Sequence, residues 1–122
     1  MAWNFKDDRP IYFQIMEQIE IRIVSGFYKA GDKLPSVRDM ASEAAVNPNT
    51  MQKALAELEL KGLLYSQRTS GRFITEDVNM IKEMRNELAT DIINEFLNNM
   101  KNIGYGEEEI IALVQKNYEG EE

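Results

Sequence analysis

The feature that most restricts the fold of this chain is a pair of helix starts separated by one short helix. Ser36 is a favourable N-cap residue, and Asp39 three residues later completes a weak capping box. Asn47-Pro48 provides a second start, because an N-cap residue here precedes a proline at the first helical position. The first of these helices must then end near Ala44-Ala45. The spacing predicts two helices joined by a tight turn.

The segments on either side of this pair complete the predicted order of elements. Upstream, a helix that begins at Pro10 and ends near Ser25-Gly26 carries isoleucines at every fourth position, namely Ile11, Ile15, Ile19 and Ile23. Downstream, Gly62 ends the third helix, and residues 63–66 and 72–75 are strand candidates on either side of a polar turn. Three helices followed by a hairpin are typical of a winged helix-turn-helix. The expected fold class is therefore mainly α with a small β-hairpin.

The remainder of the chain predicts a helical tail. From near Asp77, apolar residues recur every three or four positions and indicate a helix of ~20–25 residues. Its stripe consists of Ile81, Met84, Leu88, Ile92, Phe96 and Met100. Glu107-Glu108-Glu109 open a last helix with Ile110 and Val114 on its apolar face. We expect a winged helix-turn-helix at residues 1–76 and a two-helix dimerisation tail at residues 77–122.

The net charge of −7 is distributed unevenly along the chain. Residues 1–75 carry ten Lys/Arg against nine Asp/Glu, a net charge of +1, whereas residues 76–122 carry four against twelve, a net charge of −8. The acidic tail repels phosphate, so a nucleic acid would meet the N-terminal part. Because that part is nearly neutral, its contacts must depend on where each cation is placed.

The composition argues against several function classes. The chain has neither cysteine nor histidine, so disulfides, thiolate metal sites and the common nucleophile–base pairs are unavailable. An enzyme would have to use carboxylates, lysines and hydroxyls, and the sequence suggests no such constellation. The consecutive carboxylates of Glu107–Glu109 point in different directions on a helix, which disfavours a metal site. We expect a soluble cytoplasmic protein with no secretory signal, membrane span, metal or cofactor.

The helix that begins at Asn47 is the candidate DNA-reading helix. In a helix-turn-helix, the first turn of the second helix enters the major groove. Its exposed residues would be Asn47, Asn49, Thr50, Gln52 and Lys53. Asn and Gln can bind adenine in bidentate fashion, Thr reaches several base edges, and Lys binds phosphate or guanine. The alternative is the polar, capped start of an ordinary helix; the tight turn and the hairpin favour DNA reading.

Two neighbouring segments could add contacts to DNA. Ser36 and Arg38 lie where the preceding helix would cross the DNA backbone, and Arg38 could bind phosphate or guanine with two parallel hydrogen bonds. The alternative for Arg38 is a surface ion pair with Asp39 or Glu43. The wing candidates, suited to phosphates or the minor groove, are Arg68, Ser70, Gly71 and Arg72. The alternative there is a solvated turn with two incidental arginines.

The apolar stripe of the tail is expected to pack against another apolar surface. It could cradle a ligand, but a stripe at helical spacing is more often an interface. A two-fold homodimer would bury the stripe and present two reading heads to a palindromic site. A winged helix that binds another protein and no DNA remains the alternative function.

Several motifs in the right order resemble the GntR family of bacterial transcription regulators. They are Pro10-Ile11-Tyr12-Phe13-Gln14-Ile15, Gly31-Asp32-Lys33-Leu34-Pro35-Ser36-Val37-Arg38, Val46-Asn47-Pro48-Asn49-Thr50, and Leu58-Glu59 through Gly62. The resemblance covers roughly residues 9–75. The short tail and the Asn-Pro-Asn-Thr turn are similar to the family's YtrA-type branch.

The resemblance implies a homodimeric repressor, of a kind that often acts on transporter operons and on its own gene. The arginine of the family's Pro-Ser-x-Arg motif falls on Arg38, and the family's recognition-helix contacts fall on the polar residues 47–53 named above. Other branches carry arginines where Pro48 and Gln52 stand, so their base preference does not transfer. The usual Gly-x-Gly wing tip reads Thr69-Ser70-Gly71, and the added side chain disfavours deep insertion into the minor groove. Without a separate sensor domain, an effector would bind at the dimer interface or between tail and reading head.

Overall fold

The computed structural model describes residues 1–120 and has the predicted order of elements. These are α1 (Ile11–Val24), α2 (Val37–Ala44), α3 (Pro48–Leu60), β1 (Leu64–Gln67), β2 (Gly71–Ile74), α4 (Val78–Asn102) and α5 (Glu107–Glu119). The expected fold class, mainly helical with a small hairpin, is confirmed. The chain divides into two compact units, which we call the head (Met1–Arg85) and the tail (Asn86–Glu122). The division falls within α4.

The first three helices enclose the core of the head. Ile15, Ile19 and Ile23 of α1 are at most 2% exposed, as their spacing predicted. Ile11, which the same stripe placed inward, is 37% exposed because it is the first residue of α1 and follows Pro10 at the helix N-cap. Burial of apolar side chains is the main stabilising contribution to a domain of this size.

The hairpin is a regular antiparallel pair. Leu64 lies opposite Ile74 and both are buried, so β1 and β2 extend the core of the head. The backbone N–H of Leu34 donates to the carbonyl of Arg72 at 2.9 Å, and that of Ile74 donates to the carbonyl of Asp32 at 2.8 Å. These bonds attach the segment that leads into α2 to the outer edge of β2. The wing is thereby held in a fixed position beside the start of α2.

A buried arginine, which the sequence pattern did not indicate, fastens the N-terminal segment to α1. The side chain of Arg22 is 2% exposed, and its guanidinium carbon lies 3.9 Å from the ring centroid of Trp3. The guanidinium donates to the carbonyl of Met1 at 2.9 Å and to the Tyr28 hydroxyl at 3.2 Å. The Trp3 indole N–H donates to Glu43 of α2 at 3.3 Å. Arg22 therefore joins three segments of the head.

Three residues expected at a dimer interface already pack within a single chain. Ile81 and Met84, at the start of α4, are partly buried against the core of the head. Ile110 of α5 is 3% exposed within the tail. Periodicity predicts an apolar helix face, but it does not specify whether the residues that cover this face belong to the same chain.

We expect Arg22→Ala to lower the free energy of unfolding by about 3 kcal/mol, because it removes a desolvated cation–π contact and two charge-assisted hydrogen bonds. Urea denaturation followed by the fluorescence of Trp3, the single tryptophan, measures the change. Arg85→Ala, at an exposed position of α4, is the matched control and should change stability by less than about 0.5 kcal/mol. Equal stability of the two variants would contradict the role given to Arg22.

Candidate nucleic-acid interface

Helix α3 is fixed by its inner face, and this decides which side chains face outward. Met51, Leu55 and Leu58 are at most 1% exposed and pack in the core of the head. The predicted reading residues lie on the other side, at the first two turns. Asn47, Asn49, Gln52 and Lys53 are exposed, and Thr50 is half-buried. The structure thus brings these five residues together on one surface.

Helices α2 and α3 begin at the N-cap residues that the sequence predicted. The Ser36 hydroxyl accepts from the backbone N–H of Asp39 at 3.1 Å, and the side-chain oxygen of Asn47 accepts from that of Asn49 at 2.7 Å. Both N-caps are confirmed. They fix the first residues of α2 and α3, which carry the candidate contacts.

Helix α2 ends in a Schellman motif. The N–H of Val46 donates to the carbonyl of Ala41 at 3.0 Å, and that of Ala45 to the carbonyl of Ser42 at 3.2 Å. This pattern requires a left-handed residue between the helices, and Ala45 supplies it at φ 57°. The left-handed conformation is costly for a residue with a Cβ. The turn that orients α3 against α2 therefore carries local backbone strain.

Arg38 is exposed at the second position of α2. Within residues 1–120 its guanidinium forms no ion pair, so the expected alternative of a bond to Asp39 or Glu43 is not observed. Glu43 instead accepts from Trp3 and lies 3.9 Å from the guanidinium of Arg22. The charge of Arg38 is therefore available to a ligand.

Lys53 is exposed but held in place. Its ammonium nitrogen lies 3.9 Å from the ring centroid of Tyr12 on α1, within the range of a cation–π interaction. The ring fixes the position of this cation on the outer side of α3 without neutralising its charge. A cation placed in this way suits contact with a phosphate.

The two wing arginines occupy different environments. Arg68 is exposed at the hairpin tip and forms no ion pair in the part of the chain that the structure describes. The side chain of Arg72 is only 17% exposed. Its Nε donates to Glu59 Oε1 at 3.1 Å, and its guanidinium donates to Gln52 Oε1 at 3.3 Å. Arg72 therefore joins the wing to α3.

The hairpin tip needs its glycine. The N–H of Ser70 donates to the carbonyl of Gln67 at 3.0 Å, and Gly71 follows at φ +101°. Gly71 is the first residue of β2, directly after the three-residue loop 68–70, and its positive φ favours glycine. Ser70 remains exposed at the tip beside Arg68.

The start of α2 and the wing line one open cleft of about 700 Å³. Ser36 and Val37 form one side, and Ser70, Gly71 and Arg72 form the other. Lys33 also lines this cleft, and its Cε would lie 3.5 Å from a Cβ added at Gly71. We did not predict a role for Lys33, although its place just before the N-cap of α2 is a usable signal for a cation near that helix start.

Two other site types are not found in the described part of the chain. Among residues 1–120, no three Asp or Glu side chains are grouped so that they could hold a metal ion. No helix there is both long enough and apolar enough to cross a membrane.

Comparisons with known proteins agree with this geometry. Residues 11–74 match the family described as "Bacterial regulatory proteins, gntR family". The chain is 38% identical over 117 residues to the "Uncharacterized HTH-type transcriptional regulator YhcF" of Bacillus subtilis, which covers 96% of this chain and 97% of that protein. It is 39% identical over 95 residues to the "HTH-type transcriptional repressor YtrA" of the same organism, covering 70% of this chain and 73% of that protein.

A solved structure is similar over nearly its whole length. The "GntR family transcriptional regulator from Listeria monocytogenes" superposes with a TM-score of 0.85 at 44% sequence identity. The match covers 92% of this chain and 98% of that one. The likeness includes both the head and elements of the tail.

We expect Ala45→Gly to raise the free energy of unfolding by about 0.5–1 kcal/mol. Relief of the left-handed strain at Ala45 exceeds the added chain entropy of glycine in the unfolded state. Ala56→Gly, inside α3, is the matched control and should lower stability by about 1 kcal/mol. Thermal unfolding of both variants checks the opposite signs; a loss of stability in both would contradict the strain at Ala45.

Proposed function

Because this chain belongs to the GntR family and is a DNA-binding transcriptional regulator, we propose that it is a homodimeric repressor of a palindromic operator. The operator would lie upstream of its own gene, in an operon that encodes a transporter. The transporter assignment follows from the family resemblance, and the repressor assignment is supported by the name of the relative YtrA. The repressor would act on cytoplasmic DNA.

The observation that carries the proposal is that the start of α2, the outer side of α3 and the wing lie next to one another and carry exposed polar and cationic side chains. The start of α2 and the wing line the same cleft, and Arg72 of the wing contacts Gln52 of α3. Arg38 and Arg68 add two cations without ion-pair partners among residues 1–120. A duplex whose major groove received the first turn of α3 would meet these cations along its phosphates.

The exposed apolar surface of the tail supports the dimer. Ile92 is 68% exposed, Phe96 39% and Val114 45%. Phe96 and Val114, with Ile93, Ile111 and Tyr118, also line a groove of about 640 Å³ between α4 and α5. Exposed apolar groups of this extent indicate an interaction site. Ile81, Met84 and Ile110 already pack against other residues of the same chain. The proposed interface therefore consists of Leu88, Ile92, Phe96, Met100 and Val114.

We expect Arg38→Ala and Thr50→Ala each to weaken operator binding roughly ten- to a hundredfold, the cost of losing one base-reading side chain. A gel-shift titration with DNA from upstream of the gene, at fixed salt, measures this. Arg85→Ala removes an equal charge from α4 and should leave the affinity within about twofold.

The same titration tests the proposed function itself. Wild-type protein that binds this DNA no better than random sequence at the same salt would contradict a sequence-specific repressor. Association with another protein that is insensitive to salt, and without DNA retention, would favour the winged helix as a protein-interaction module.

We expect the double variant Leu88→Glu with Ile92→Glu to be monomeric, because two carboxylates would have to be desolvated at the interface. Its operator affinity should fall at least about a hundredfold, since the two half-sites are no longer linked. Light scattering measures the mass, and Asn94→Glu on the opposite face of α4 is the control that should remain dimeric. A dimer that persists in the double variant would refute the proposed interface.

A further inference from the structure

We infer that Arg72 sets the base preference of Gln52 and does not itself bind DNA. By holding the side-chain oxygen of Gln52, Arg72 leaves only the N–H donors of this amide to face a base pair. The inference rests on the proposed DNA-reading role of α3. It concerns which base that helix selects at one position.

The Arg72 guanidinium lies between the wing and α3. Its Nε lies 3.1 Å from Glu59 Oε1, and its Nη1 lies 3.3 Å from Gln52 Oε1. Gln52 and Glu59 are seven residues apart on α3 and therefore share one side of the helix, the side that faces the wing. The guanidinium thus bridges the wing and two turns of the recognition helix.

The charge of Arg72 is compensated within the protein. Glu59 neutralises Arg72, and its Oε1 also accepts from the Ser66 hydroxyl at 2.9 Å. Ser66 lies directly opposite Arg72 in the hairpin, so both strands hold the same carboxylate. A cation that is already paired and mostly buried in the free protein contributes little to phosphate binding, because it displaces few of the counterions bound to DNA. Arg68, without an ion pair in the described part of the chain, is the wing residue suited to that role.

The contact with Arg72 sets the orientation of the Gln52 amide. A guanidinium has five N–H donors and no acceptor, so it can pair only with the oxygen of an amide and never with its nitrogen. The contact therefore fixes Oε1 toward the wing and directs Nε2 away from it. Since Gln52 is exposed at the candidate reading surface, its N–H groups are what a base pair would meet.

The consequence is a change in which base Gln52 can recognise. Bidentate recognition of adenine requires the oxygen and the nitrogen of the amide to point at the base together, whereas here the oxygen points at the wing. A donor alone pairs with an acceptor in the major groove, such as O6 or N7 of guanine, O4 of thymine or N7 of adenine. Adenine is the poorer partner, because its N6 donor lies beside N7 and opposes the amide N–H. An amide held in this way disfavours a bidentate Gln52–adenine contact and selects guanine or thymine.

The experiment measures the affinity of the full-length protein for an operator set in which each half-site position carries each of the four bases. Gln52→Ala locates the relevant base pair as the position at which discrimination disappears. At that position the wild type should prefer guanine or thymine. Arg72→Met keeps the aliphatic stem but frees the amide oxygen, so the preference should move toward adenine by about tenfold.

Arg68→Met is the matched control in the same hairpin. It should weaken binding to all operators evenly and reduce the slope of log affinity against log salt by about one, with base preference unchanged. If Arg72→Met behaved like Arg68→Met, Arg72 would be an ordinary phosphate ligand and the inference would be overturned. A wild-type preference for adenine at the Gln52 position would overturn it as well.

Gln52→Glu provides an independent test that leaves Arg72 in place. The carboxylate still accepts from Arg72, but it offers no N–H, so the preference should move to cytosine, whose amino group is a donor. Retention of the wild-type preference would contradict the inference even if Arg72→Met failed to fold. If the wild-type protein showed no sequence-specific binding, the proposed function itself would be wrong. The failure of the inference and the failure of the proposed function are therefore distinguishable.

Discussion

The structure depends first on the burial of the inner face of α3 in the core of the head. Met51, Leu55 and Leu58 are at most 1% exposed, and this contact leaves α3 no freedom to rotate about its axis. Because a helix repeats every 3.6 residues, fixing the inner face also fixes the outer one. The exposure of Asn49 and Gln52 is therefore a direct result of apolar packing.

Polar contacts fix the N-terminal segment, the wing and the turn between α2 and α3. Arg22 holds the N-terminal segment, and Arg72 with Glu59 holds the wing against α3. The Schellman turn at Ala45 sets the angle between α2 and α3. Each of these contacts holds one segment of the head in a fixed position relative to its neighbours. The candidate interface combines this rigid support with cations that remain available.

Local signals were sufficient for the elements of the fold but not for the pairing of charges. The helix starts at Ser36 and Asn47, the long α4 and the hairpin were predictable, because caps, periodicity and turn residues act within a few positions of the chain. Arg22 and Arg72 were not, since their partners lie up to 21 residues away and each arginine could equally have faced solvent. Likewise, the stripe of α4 predicted an apolar face, but packing within the chain decided that Ile81 and Met84 cover the head.

The most direct test of the central claim is to map where α3 lies on the operator. The chain contains no cysteine, so Asn49→Cys provides a unique attachment point for a DNA-cleaving iron chelate. We predict two clusters of strand cleavage, one in each half-site, related by the two-fold axis and separated by about 10 base pairs or a multiple of that number. Cleavage in only one half-site, or spread evenly along the duplex, would contradict the presentation of two copies of α3 to one operator.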